Sequence, residues 1–168
     1  WQEGDKGLSC WDTYCHSNAC REGITGDVSC DFYHRYEEDI RMLAEGGQNA
    51  FRFSLSWVRI MPDGTGRVSQ DGVDFYNRVL DTCEKYGVTP FVTIYHYDLP
   101  QTLYEAGGWE NRATADAFAA YARACFEALG CGVRFWTTIN EPVFESMCGY
   151  IVGNYPPHVH DIGRRSRA

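Results

Sequence analysis

Val133-Arg134-Phe135-Trp136-Thr137-Thr138-Ile139-Asn140-Glu141-Pro142 is the stretch on which the fold turns. Its β-branched and aromatic residues from Val133 to Ile139 predict a strand, and Pro142 stops that strand just past the polar pair Asn140-Glu141. Two earlier stretches are built alike. Ala50-Phe51-Arg52-Phe53-Ser54-Leu55-Ser56 alternates large apolar with small or polar side chains, and Thr89 to Tyr95 reads as a buried strand followed by His96-Tyr97-Asp98-Leu99-Pro100. Helical periodicity precedes each one. Tyr36, Ile40 and Leu43 share a face between Tyr33 and Glu45, with Gly46-Gly47 as a stop. Val73, Tyr76, Leu80 and Cys83 form a stripe from the N-cap Ser69 to Gly87. Phe118, Tyr121, Cys125 and Leu129 do the same between Ala113 and Leu129, where Gly130 and Gly132 break the helix. The strands begin about 40 residues apart with a helix between them, which is the rhythm of parallel βαβ units and of an α/β fold.

Two architectures share that rhythm, an open doubly wound sheet and a closed eightfold barrel. No Gly-x-Gly-x-x-Gly and no phosphate-cradling Lys-Ser/Thr loop follows a strand, so the nucleotide-binding open sheet lacks support. A barrel gathers its chemistry just past the C-terminal ends of its strands, and that is where this chain places its polar oddities.

The chain has 168 residues, 44% of them hydrophobic, which suits one domain. With 15 Lys and Arg against 23 Asp and Glu its formal net charge is −8, and it carries no long basic run. Nucleic acid is therefore not expected as a partner, since phosphate contacts need clustered positive charge. The one basic cluster is the tail Arg164-Arg165-Ser166-Arg167. No apolar stretch approaches the roughly 20 residues that span a bilayer, so no membrane association is expected. Aromatic residues make up 15% of the chain, enough to offer flat faces to a sugar. The first residue is Trp1 and nothing near it resembles a signal peptide, so either a segment was removed or the reading starts inside a gene.

Eight cysteines stand at 10, 15, 20, 30, 83, 125, 131 and 148. Cys83 and Cys125 fall on the apolar faces of predicted helices, so buried free thiols are expected rather than disulfides, and with them a reducing, cytoplasmic compartment. Cys10, Cys15 and Cys20, with His16 beside them, invite a zinc reading but lack the Cys-x-x-Cys knuckle. His158 and His160 have His-x-His spacing without a third ligand, which reads as a solvated loop. No metal and no organic cofactor is expected.

Five residues carry the candidate chemistry. Arg52 is a charge inside an apolar strand, and burying it is costly unless a carboxylate pairs with it; that carboxylate is either functional or an ordinary structural one. His96 can donate to or accept from a sugar hydroxyl, while Tyr97 offers an aromatic face. Asn140 and Glu141 sit just beyond the third strand. Held against aromatic neighbours such as Trp136 and Phe144, Glu141 would have its charged form desolvated, which raises a carboxyl toward the range of a general acid. The alternative is a carboxylate that satisfies a loop backbone.

Together these segments resemble the family 1 glycoside hydrolases, the β-glucosidase and 6-phospho-β-glycosidase family. The resemblance rests on Gly7-Leu8-Ser9-Cys10-Trp11-Asp12-Thr13, on Thr25 to Tyr36, on Phe51 to Ile60, on Tyr95 to Pro100, on Gly107-Gly108-Trp109 and on Thr138-Ile139-Asn140-Glu141-Pro142. It implies that Glu141 is the acid/base, which protonates the glycosidic oxygen and then activates water. It implies also that Asn140 binds the sugar 2-hydroxyl and His96 another hydroxyl. Tyr97 stands where the family usually has Trp, in the lining of the same subsite. Arg52 resembles the strand arginine that orients the nucleophilic carboxylate. No cofactor is implied, and the expected partner is a β-glycoside or oligosaccharide.

On this resemblance the fold is a partial (β/α)8 TIM barrel covering about strands 2 to 4 of the eight. Residues 1–168 are then a single incomplete catalytic domain that lacks the first strand and the C-terminal half, with an atypical tail at 162–168. Gln2 belongs to the loop after the first strand. No Thr-Glu-Asn-Gly-like segment occurs to supply a nucleophile, and retaining hydrolysis needs two carboxylates about 5 Å apart. The chain is thus expected to be a fragment of a retaining β-glycosidase, inactive by itself, with open sheet edges that invite aggregation. Two alternatives stand beside this: a 6-phospho-β-glycosidase, and a non-catalytic sugar-binding half-barrel that keeps Asn140, His96 and the aromatics for recognition. The sequence leaves the oligomeric state open.

Overall fold

The computed structural model describes residues 1–17, 20, 23–159 and 161. His160 of the His-x-His pair, the basic cluster Arg164-Arg165-Ser166-Arg167 and the tail from Ile162 to Ala168 lie outside the described residues.

A short helix, α1 (Cys10–Cys15), opens the chain. Ser9 caps it in a reciprocal box: its hydroxyl accepts from the Asp12 amide, and its own amide donates to Asp12 Oδ2 at 2.9 Å. Then come α2 (Phe32–Glu45) and β1 (Ala50–Ser54), followed by α3 (Trp57–Ile60) and α4 (Gln70–Lys85). After β2 (Thr89–Tyr95) come α5 (Gln101–Glu105) and α6 (Arg112–Leu129). The described chain closes with β3 (Phe135–Ile139) and α7 (Pro142–Ser146), which runs on into a π-helical turn, Met147–Val152.

The three strands form one parallel sheet in the order β1-β2-β3. Ala50 pairs with Thr89 and Ser54 with Thr93, while Phe91 pairs with Phe135 and Tyr95 with Ile139. All three C-terminal ends therefore lie along one edge of the sheet. The long helices follow the expected stripes. Ser69 caps α4 by accepting from the Gly72 amide, and Asn111 caps α6 by accepting from the Ala113 amide.

The core lies between the sheet and its helices. Phe53, Val92 and Ile94 pack there with Tyr76, Val79, Cys83, Tyr121, Cys125 and Leu129. Trp57 is fully buried, its ring stacked on Tyr121 at 4.7 Å and its Nε1 donating to the Gly64 carbonyl at 3.0 Å. Truncating such a side chain to Ala costs about 3–5 kcal/mol. The other face of the sheet is largely uncovered, with Thr93 buried at its middle. Arg52 is exposed there, and Phe91 and Phe135 stack on each other at 4.4 Å while remaining 37% and 38% exposed.

Two departures from the sequence expectation have local causes. The last strand starts at Phe135, because Gly130–Gly132 wind into a 3-10 turn that Val133 closes. The first strand ends at Ser54, since Ser56 already caps α3. Cysteine burial is mixed: Cys10, Cys83, Cys125 and Cys148 are buried, Cys15 and Cys20 half-buried, and Cys30 and Cys131 exposed, with no disulfide among them. Among the described residues no helix is long and apolar enough to cross a membrane.

Candidate active site

The strand ends that carry the polar residues meet at one place. The Asn140 amide donates to the Tyr95 carbonyl at 2.9 Å, which extends the β2–β3 ladder by one step before the chain turns. Glu141 takes φ 42° and Tyr97 φ 70°, both in the left-handed region that non-glycine residues seldom occupy. The turn at Glu141 makes it the N-cap of α7, and Pro142 suits the first helical position because its missing N–H would have no helical partner.

A continuous hydrogen-bond path joins four of the five sequence-derived residues. Arg52 Nη2 donates to Asn140 Oδ1 at 2.7 Å, Asn140 Nδ2 donates to the Tyr97 hydroxyl at 3.2 Å, and that hydroxyl donates to Glu141 Oε2 at 2.8 Å. The direction is forced. A guanidinium only donates, so the amide must turn its oxygen to Arg52 and its nitrogen to Tyr97. Having accepted that bond, the phenol has its single proton left for the carboxylate. Burial and the bond to Glu141 push Tyr97 up to about 12, so the phenol stays a donor at neutral pH. His96 stands with its ring edge-on to Tyr97 at 4.8 Å, and its ring nitrogens bond no described residue.

Two expectations need correction. Arg52 is exposed rather than buried, and among the described residues its guanidinium bonds the Asn140 side-chain oxygen. Glu141 is exposed too, and the aromatic desolvation expected for it is absent. Trp136 turns away to meet Phe126 edge-on at 4.9 Å, and Phe144 lies against Tyr97 and Tyr155, with ring centres 6.5 and 5.9 Å away.

Two carboxylates escaped the sequence reading. Glu145 accepts from the Tyr95 hydroxyl at 2.5 Å, and burial pushes it up to about 7 despite that bond. It lines a cavity of about 90 Å³ with Trp109, Ile139, Pro142, Ser146 and Tyr150. Asp98 Oδ2 accepts from the Trp57 amide at 3.0 Å, and burial lifts this carboxyl also to about 7. The signal for Glu145 was its spacing, one helical turn after Glu141.

The metal candidates find other partners. His16 lies 2.7 Å from both the Asp12 carbonyl and Asp27 Oδ1, and His158 Nδ1 lies 3.0 Å from the Gly153 carbonyl. Among the described residues no three His, Cys, Asp or Glu side chains are disposed to hold a metal ion.

A family model described as Glycosyl hydrolase family 1 matches residues 1–167. Beta-glucosidase A of Thermotoga maritima is 50% identical over 157 residues, 93% of this chain and 35% of that protein. A 6-phospho-beta-galactosidase of Clostridium acetobutylicum is 43% identical over 169 residues, 99% of this chain and 35% of that protein. A solved family 1 β-glucosidase structure from Thermotoga maritima superposes with a TM-score of 0.95 at 48% identity, covering 98% of this chain and 38% of that one. The chain thus spans about a third of the length of the relatives it matches, and its three βα units are part of a (β/α)8 barrel.

Proposed function

The chain belongs to glycosyl hydrolase family 1, and from that membership we propose that its three strand ends form the acid/base side of a retaining β-glycosidase active site. In this reading Glu141 protonates the leaving oxygen in the first step and activates water in the second. Asn140 holds the sugar 2-hydroxyl, His96 holds a neighbouring hydroxyl, and Tyr97 lines the same subsite. Arg52 reaches from β1 toward the second carboxylate, which retention requires about 5 Å from the first and which a further barrel strand would supply. The substrate is a β-glucoside or related oligosaccharide, and neither metal nor organic cofactor is needed for it. A reducing, cytoplasmic setting belongs to this reading, supported by the four buried cysteines.

The observation that carries the proposal is the hydrogen-bond path from Arg52 through Asn140 and Tyr97 to Glu141 at the C-terminal ends of adjacent parallel strands. A 6-phospho-β-glycoside stands as a second reading, favoured by 43% identity to the clostridial 6-phospho-beta-galactosidase.

The test is nitrophenol release from plain and 6-phosphorylated aryl β-glycosides by the full-length protein carrying this chain. Glu141→Gln keeps the shape and removes the proton, and should lower turnover by about 10²- to 10⁴-fold. Unchanged turnover in that variant would refute the assignment. The 168 residues alone should release no nitrophenol.

A further inference from the structure

Glu141 is exposed, and a glutamate on a surface samples several rotamers unless something fixes it. Among the described residues the only group hydrogen-bonded to its carboxylate is the Tyr97 hydroxyl, at 2.8 Å. That same oxygen accepts from Asn140 Nδ2 at 3.2 Å, so one atom sets the orientation of two proposed site residues. Tyr97 is itself well anchored. Its backbone is held at φ 70°, its ring meets His96 at 4.8 Å, and it packs toward Tyr155 and Phe144 with centres 6.2 and 6.5 Å away.

We propose that Tyr97 is a positioning residue for the acid/base: its phenol oxygen couples Asn140 to Glu141 and holds the carboxylate in the one rotamer that faces the glycosidic oxygen. This rests on the assignment of Glu141 made above. The bond matters in both steps. It aims the proton in the first, and in the second it keeps the same carboxylate directed at the water that loses a proton. An aromatic ring without the oxygen would line the sugar subsite equally well and leave Glu141 without this constraint.

Two substrates separate positioning from packing. A methyl β-glucoside needs its leaving oxygen protonated, whereas a 2,4-dinitrophenyl β-glucoside departs unaided. In the full-length protein, Tyr97→Phe should lower kcat/KM for the methyl glucoside about tenfold, the worth of one good hydrogen bond. For the dinitrophenyl glucoside, whose leaving group needs no proton, the loss should be several times smaller, the remainder coming from the sugar subsite that Tyr97 and Asn140 share. Equal losses on both substrates, or none on either, would overturn the proposal. Where Tyr97→Phe fails to fold, 3-fluorotyrosine at position 97 keeps the shape and changes the acidity of the phenol. It should alter the ratio of the two kcat/KM values, and an unaltered ratio refutes the role. Glu141→Gln serves as the control. If the parent protein shows no turnover that depends on Glu141, the site assignment fails; if it does and Tyr97→Phe leaves the ratio unchanged, only the role of Tyr97 falls.

Discussion

The Tyr95 hydroxyl, at the end of β2, donates to Glu145 Oε1 on α7 across 2.5 Å. Trp109 Nε1 donates in turn to the Tyr95 oxygen at 3.3 Å. This ties down α7, the helix whose N-cap is Glu141, and it does so through a largely buried carboxylate. The bond joins the end of β2 to the helix that follows β3.

Tyr95→Phe removes the donor and leaves Glu145 without it. The variant should lose about 1–3 kcal/mol of stability in denaturant unfolding of the full-length protein. In a double-mutant cycle with Glu145→Gln the two changes should couple by about 1 kcal/mol. Strict additivity would mean that the contact holds nothing in place.

Asp98 and Glu145 give stability an unusual pH dependence. Both carboxyls are lifted to about 7 by burial, against about 4 in an unfolded chain. Between those values the folded state holds more protons than the unfolded state, so these two groups make stability fall as pH rises from about 4 to about 7, with no further change above. Below about 4 both states are protonated and the contribution is whole. Unfolding titrations of the wild type and of the Asp98→Asn/Glu145→Gln double variant should differ in slope across that window, with the variant flatter. Parallel curves would contradict the burial of these groups.

Much of this was legible in the sequence and some was not, for physical reasons. The stripes Val73-Tyr76-Leu80-Cys83 and Phe118-Tyr121-Cys125-Leu129 each bury one helix face, so period alone located α4 and α6. The parallel sheet followed from their spacing. The short helices α1, α3, α5 and α7 are four to six residues long, and only α1 has a side-chain cap, so they leave no periodic trace. At the site, residue types marked Arg52 within β1 and His96, Tyr97, Asn140 and Glu141 past strand ends as candidates, and the family resemblance supplied the roles proposed for them. Which of them bond to one another was not readable, because Arg52 and Asn140 meet across a strand that lies between them in the sheet. Sequence placed Trp136 beside Glu141, whereas the strand pleat sends it toward Phe126.

Asn140 can be tested against the hydroxyl it is proposed to hold. Asn140→Ala should lower kcat/KM on an aryl β-glucoside by about five- to 150-fold, equivalent to about 1–3 kcal/mol. On the 2-deoxy analogue, where no 2-hydroxyl exists, the same variant should cost much less. An equal penalty on both sugars would show that Asn140 acts through structure alone.

The uncovered face of the sheet, with Phe91 and Phe135 stacked and exposed, predicts the behaviour of the 168 residues by themselves. Expressed alone they should self-associate, seen as light scattering or a broad sedimentation profile that grows with concentration. A sharp, cooperative melt of a monomer would contradict this.

Anion rescue decides whether Glu141 is the acid/base. In Glu141→Ala an activated aryl β-glycoside can still form the glycosyl-enzyme, but water is no longer activated to release it. Azide needs no base and enters from the vacated side. With azide added, the full-length variant should regain turnover and yield the β-glycosyl azide, identified by the NMR coupling of its anomeric proton. An α-glycosyl azide, or no azide product alongside unimpaired hydrolysis, would exclude Glu141 from that role.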